Sequence, residues 1–194
     1  MQAPFWKAIG MAQQALLVDL DLVLASATTL GIEFIVIPLV DNGRIENAEQ
    51  AAILSRALLE RSTSLAEQRL KIVFESDAPP AELARFIANF PREVFGINYD
   101  IGNSAALGHD CGEEISCYAP RILNVHVKDR LRGGTTVPLG TGAAQLATAI
   151  RRLEQAGYGG QYILQTARAA DSNHGDALAR YRDMTMRWIE EAGR

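Results

Sequence analysis

Cysteine is scarce in this chain of 194 residues: Cys111 and Cys117 stand six apart and form no CxxC pair. That argues against a disulfide framework and reads as reduced thiols in a cytoplasmic protein. Basic charge is also short. Nineteen Lys and Arg against 23 Asp and Glu leave a net charge of -4, so nothing attracts nucleic acid or an anionic membrane surface. Long apolar runs are missing. The opening stretch, residues 1–25, has one lysine, no small-residue cleavage site, and an apolar character interrupted by Asp19 and Asp21. It reads as an amphipathic helix, not as a signal peptide or a membrane span. No low-complexity tract or interdomain linker divides the sequence. The composition that remains, 48% apolar and 22% charged, is that of one globular domain over residues 1–194, long enough to bury a core.

What is present is an alternation of short β-branched runs with longer helical stretches. Strands are expected at 32–40, 69–76, 93–103, 121–129 and 161–167. The run IEFIVIPLV (32–40) is apolar but for Glu33, as suits a strand buried on both faces. Helices are expected at 46–68, 79–90, 104–120, 143–160 and 173–192, with prolines opening the second and Gly157 stopping the fourth. This order implies right-handed βαβ crossovers and a parallel sheet. Five strands are too few to close an eight-stranded barrel, which takes about 250 residues. The glycine-rich loop 130–142 is the candidate lid. Its N–H groups suit an anion-holding nest, and plain flexibility is the alternative.

Polar residues recur at one place on the strands: Glu75, Asp100, His126 and Gln165. In a parallel barrel the strand C-termini converge on the face that carries the active site. A carboxylate in an apolar run is costly without a partner, and a metal ion supplies one. Two carboxylates, an imidazole and an amide oxygen suit Mn²⁺, Mg²⁺, Co²⁺ or Zn²⁺. Taken singly, a Glu after a strand reads as a salt-bridge partner, and a His in an apolar strand is more often a core residue than a ligand.

The segments NYDIGN (98–103), NVHVKDR (124–130), VPLGTG (137–142) and AGYGGQYIL (156–164) are similar to the C-terminal half of the xylose isomerase-like sugar-phosphate isomerases and epimerases. The nearest branch contains the L-xylulose/L-ribulose 5-phosphate 3-epimerases and hexulose-6-phosphate isomerases. DIGN (100–103) and HVKD (126–129) are the most specific parts. IVIPLVDN (35–42) fits the family's fourth strand loosely, so the resemblance implies a (β/α)₈ TIM-barrel lineage lacking its first three strands, with five parallel strands and flanking helices. It also implies a divalent metal held by Glu75, Asp100, His126 and Gln165, with Glu75 and Gln165 at the two proton-transfer positions.

The same resemblance gives Asn103, Lys128 and Arg132 contact with a small sugar or sugar phosphate, with Arg130 as a substitute for Arg132. An ion pair of Lys128 with Asp129 is the alternative role for that lysine. The family has glutamate where this chain has Gln165, and an amide accepts no proton at neutral pH. Two-base epimerisation through a metal-stabilised enediolate is thereby in doubt, while one-base isomerisation survives. Three other readings stand beside an isomerase. One is a sugar-binding homologue without chemistry. Another is a fragment whose exposed sheet edges pair with a second chain, as in a homo-oligomer. A DNA-repair endonuclease is the third, and three histidines are too few for its trinuclear site. His109, His174, Trp6 and Trp188 fall outside the constellation; His174 is read as a loop residue.

Overall fold

Glycines and capping side chains set where the elements stop in the computed structural model, which describes residues 3–193. Met1 and Gln2, at the head of the stretch read as a helix, and Arg194 lie outside the described residues. The chain clusters into two units, one running to Ser76 with Arg85–Gly96, the other Asp77–Ala84 with the residues from Ile97 onward.

The first unit begins with a 3₁₀ turn, Phe5–Lys7, which places Trp6 ahead of the first helix. Helix α1 (Gly10–Thr29) follows. It is not the amphipathic helix expected. It buries Leu20, Leu24 and Ala27 yet exposes Met11, Val18 and Leu22, because its apolar residues surround the axis instead of forming one stripe. Strand β1 (Phe34–Leu39) leads to α2 (Ala48–Leu59) and α3 (Ser62–Glu67). The single helix expected over 46–68 is therefore two, interrupted at Glu60 and Arg61. The side chain of Asn47 accepts from the N–H of Gln50 and starts α2. Strand β2 (Lys71–Ser76) pairs parallel with β1 and sets Glu75 opposite Pro38. Behind it, the Phe74 ring meets Phe86, Phe90 and Phe95 at centroid separations of 5.3, 5.2 and 6.2 Å.

Helix α4 (Pro80–Ile87) precedes β3 (Phe95–Asp100), every residue of which is buried. The strand ends at Asp100, as read in FGINYD, and in place of the turn expected to complete 93–103 that side chain accepts from the N–H of Asn103 and opens α5 (Ile101–Leu107). The second unit then continues through α6 (Cys111–Tyr118). Gly108, at φ 89°, separates these two helices where one irregular helix was expected. The two thiols are free, and both lie on α6. Strand β4 (Ile122–Val127) is followed by a short antiparallel ladder, β5 (Asp129–Arg130) with β6 (Thr136–Val137). Helix α7 (Leu146–Gln155), β7 (Gln161–Leu164) and α8 (His174–Ala192) complete the chain.

In the first unit β2 lies beside β1, and in the second the strand order is β3-β4-β7. Parallel pairing is explicit for β1 with β2, β3 with β4, and β4 with β7. Strand β7 alternates between exposed and half-buried residues, with Ile163 40% exposed. An inner barrel strand covered on both faces would show no such alternation.

Candidate metal centre

Register builds the site. In the β3/β4 ladder Asp100 lies opposite His126 and Asn98 opposite Asn124, so all four project to one face. Asp100 is 3% exposed. Its Oδ1 accepts from the N–H of Asn103 at 2.8 Å. Its Oδ2 lies 3.3 Å from Lys128 Nζ and 3.6 Å from His126 Nδ1. The imidazole is also met at Nδ1 by Asn98 Nδ2, at 3.3 Å, while Asn124 Nδ2 donates to Asn98 Oδ1. These two asparagines form a polar ladder beneath the histidine that the sequence reading missed. Its signal was present in the matching first letters of NYD and NVH.

Glu75 occupies the equivalent place near the end of β2 and is half-buried. Within the second unit Asp100 and His126 each offer one ligand atom, 3.6 Å apart. Two ligands on one ion at about 2.0–2.2 Å each can be no more than about 4.4 Å apart, so the 3.6 Å between Asp100 and His126 fits a shared cation. Hard carboxylate oxygens with one imidazole suit Mn²⁺, Mg²⁺ or Zn²⁺ chemistry. Gln165 lies just past the end of β7, where its N–H donates to the carbonyl of Val127. Its residue lines a concavity of about 280 Å³ with Thr166, Arg168 and His174. His174 is the first residue of α8, and its Nδ1 accepts from the N–H of Ala169.

The remaining candidates separate. Asn103 Oδ1 accepts from Arg130 Nη1 at 2.8 Å, and Arg130 also donates to the carbonyl of Gly134. Arg130 is thus a strut between α5 and the following loop. Arg132 is exposed, and its guanidinium lies where a Cβ on Gly108 would fall. With His109, Glu114 and Gln145 it lines a cavity of about 180 Å³. Lys128 is paired with Asp100, which corrects the expected Lys128–Asp129 pair.

Asp129 is 0% exposed. It accepts from the N–H groups of Gly140, Gly142 and Ala144. The glycine-rich loop does form a nest, and the anion it holds is the chain's own carboxylate. Another buried acid, Glu114, went unnoticed in the sequence. Tyr99, Ser104 and Tyr118 donate to it at 2.9, 2.7 and 2.9 Å. Burial pushes its carboxyl above the ordinary range against those bonds, and pushes both tyrosines up as well.

The model of the xylose isomerase-like TIM barrel family matches residues 12–190. The chain belongs to this family. Among curated members of known activity, the L-ribulose-5-phosphate 3-epimerase UlaE of Salmonella paratyphi A is 31% identical over 100 residues. That match covers 51% of this chain and 35% of that protein, so only about a third of the curated relative's length is spanned. Solved structures carry the fold further. The xylose isomerase domain protein of Planctomyces limnophilus superposes with a TM-score of 0.80 at 18% identity, over 98% of this chain and 71% of its own. The IOLI protein, solved with a zinc atom, gives 0.80 at 17% identity over 98% and 74%. The five parallel strands are a partial barrel of this family, and its relatives include sugar epimerases and isomerases. No described helix is long and apolar enough to cross a membrane.

Proposed function

We propose that this chain carries the metal-binding half of an isomerase or epimerase acting on a small sugar or sugar phosphate. The observation that carries the reading is the pair of Asp100 and His126, two ligand-bearing side chains 3.6 Å apart on paired parallel strands of the second unit. Asp100 and His126 hold the ion. Bound there, a divalent ion supplies Lewis-acid stabilisation of the negative charge that develops on the substrate's carbonyl oxygen. Glu75 accepts the proton from the carbon next to that carbonyl, leaving an enediolate. Gln165 donates or accepts hydrogen bonds at the substrate but takes no proton, which favours a one-base aldose–ketose isomerisation over epimerisation. Of the expected substrate contacts, Lys128 stands at Asp100 and orients substrate oxygens, whereas Asn103 is held by Arg130 and Arg132 lines the separate cavity beside His109. The whole forms one functional domain.

The test is Mn²⁺ binding by calorimetry on the wild-type chain, Glu75→Ala and His126→Ala. A screen of ketose and aldose phosphates for deuterium uptake from solvent follows. One equivalent of metal, lost in both variants, together with exchange of the substrate's α-proton, is the expected result. A folded wild-type chain that binds no metal overturns the reading.

A further inference from the structure

Within the proposed metal centre, and resting on that reading, one cation is already in place. Asp100 Oδ1 is committed to the N–H of Asn103, so Oδ2 is the oxygen that faces a cation. Lys128 Nζ sits 3.3 Å from that oxygen, and the two side chains are 14% and 1% exposed. His126 Nδ1 approaches the same oxygen at 3.6 Å. The other acid in reach along the chain, Asp129, has both oxygens filled by three backbone N–H groups. The lysine is therefore directed to Asp100. Its stem is seated as well: a Cβ on Gly102 would stand 2.8 Å from the backbone carbon, the carbonyl oxygen and Cγ of Lys128. Only a residue without a side chain lets the lysine lie across the start of α5.

We propose that Lys128 is a resident cation that occupies the Asp100 carboxylate until a divalent ion displaces it, so that the centre loads by exchange of an ammonium for a metal. A divalent ion bonded to Oδ2 at about 2.0–2.2 Å and an ammonium held at the same oxygen would repel at close range in a poorly solvated site. The lysine has a way out, because a flexible four-carbon stem can carry its head to water while the methylenes stay packed. Released, the ammonium is free to meet an anionic or hydroxylated substrate. Metal loading and substrate recognition would then be coupled through one side chain.

The chain has three lysines, Lys7, Lys71 and Lys128, which makes the exchange measurable. Lys7 is paired with Glu46 and Lys71 is exposed at the start of β2, so both serve as internal references. Lysine acetylation by an N-hydroxysuccinimide ester is followed by mass spectrometry with and without Mn²⁺. In parallel, Mn²⁺ affinity is measured by calorimetry for the wild-type chain and Lys128→Met. Metal is expected to accelerate labelling of Lys128 alone, and Lys128→Met to bind Mn²⁺ about tenfold tighter, the factor that losing a competing ion pair of roughly 1.4 kcal/mol gives. Metal binding with unchanged Lys128 labelling overturns the exchange, as does weaker binding by Lys128→Met, which would make the lysine a support of the site. If folded wild-type and Lys128→Met chains both bind no metal, the metal reading itself has failed. Should Lys128→Met not fold, the labelling of the wild-type chain decides alone.

Discussion

Replacing Asp129 with alanine should release the loop that follows β5. The side chain is 0% exposed, and it accepts from Gly140 and Gly142 at 2.9 Å through Oδ2 and from Ala144 at 3.0 Å through Oδ1. Each hydrogen bond to a charged group contributes about 1.5–3 kcal/mol. The three do not add in full, because the loop that loses its anchor opens to water. The expected cost is about 3–5 kcal/mol, the range for losing one side of a buried charged interaction. In a chain of this length one kcal/mol shifts the melting temperature by about 2–4 °C, so a fall of about 10 °C follows. Asp129→Asn retains one acceptor oxygen but turns an amide N–H toward a backbone N–H, and should lose about 1–3 kcal/mol. Urea denaturation measures both. Amide exchange at Gly140, Gly142 and Ala144 should accelerate before the rest of the second unit. An Asp129→Ala chain within 1 kcal/mol of wild type, or unchanged exchange at those amides, would refute the anchoring role.

Gly102→Ala forces a Cβ against the Lys128 backbone and should destabilise the chain by about 1–3 kcal/mol, as overpacking does; thermal melting checks this. Burial raises the folded-state carboxyl of Glu114 above its unfolded value. Its stabilising contribution is therefore complete below the ordinary carboxylate range and is lost as pH rises through the raised value. Denaturation between pH 4.5 and 8 should show wild type losing stability relative to Glu114→Gln as pH rises; parallel curves would contradict it. Gln165→Glu restores a group that takes a proton. If Glu75 is the only base of the native chain, this variant should add epimer product to the isomer seen by NMR, and unchanged product stereochemistry would count against the one-base mechanism.

The candidate ligands stood out where chemistry breaks a pattern. Glu75, Asp100 and His126 are polar letters at the ends of strongly apolar strands, and that contrast survives without coordinates. The breaks inside helices were harder to see. Glu60 and Arg61 are ordinary helix formers, and nothing in the run 46–68 marks the interruption between α2 and α3. Gly108 did mark one, but the irregular segment around it concealed two short capped helices. The end of β3 at Asp100 was legible, but that the same carboxylate also caps a helix was not, because the two uses look alike in a row of letters. Glu114 was passed over because its partners Tyr99, Ser104 and Tyr118 lie on separate elements and reach one point only after folding.

What the amino-acid sequence determined by itself was the alternation of strands and helices, the parallel sheet and the polar residues at the strand ends, because period, β-branching and turn chemistry act locally. What only the tertiary structure decided was pairing. Lys128 turns to Asp100 and away from its neighbour Asp129, since adjacent residues on an extended chain point to opposite sides. Asp129 instead collects three N–H groups from 11 to 15 residues further on. A carboxylate's partner is set by which donors the fold brings within about 3 Å, and that distance is not written along the chain.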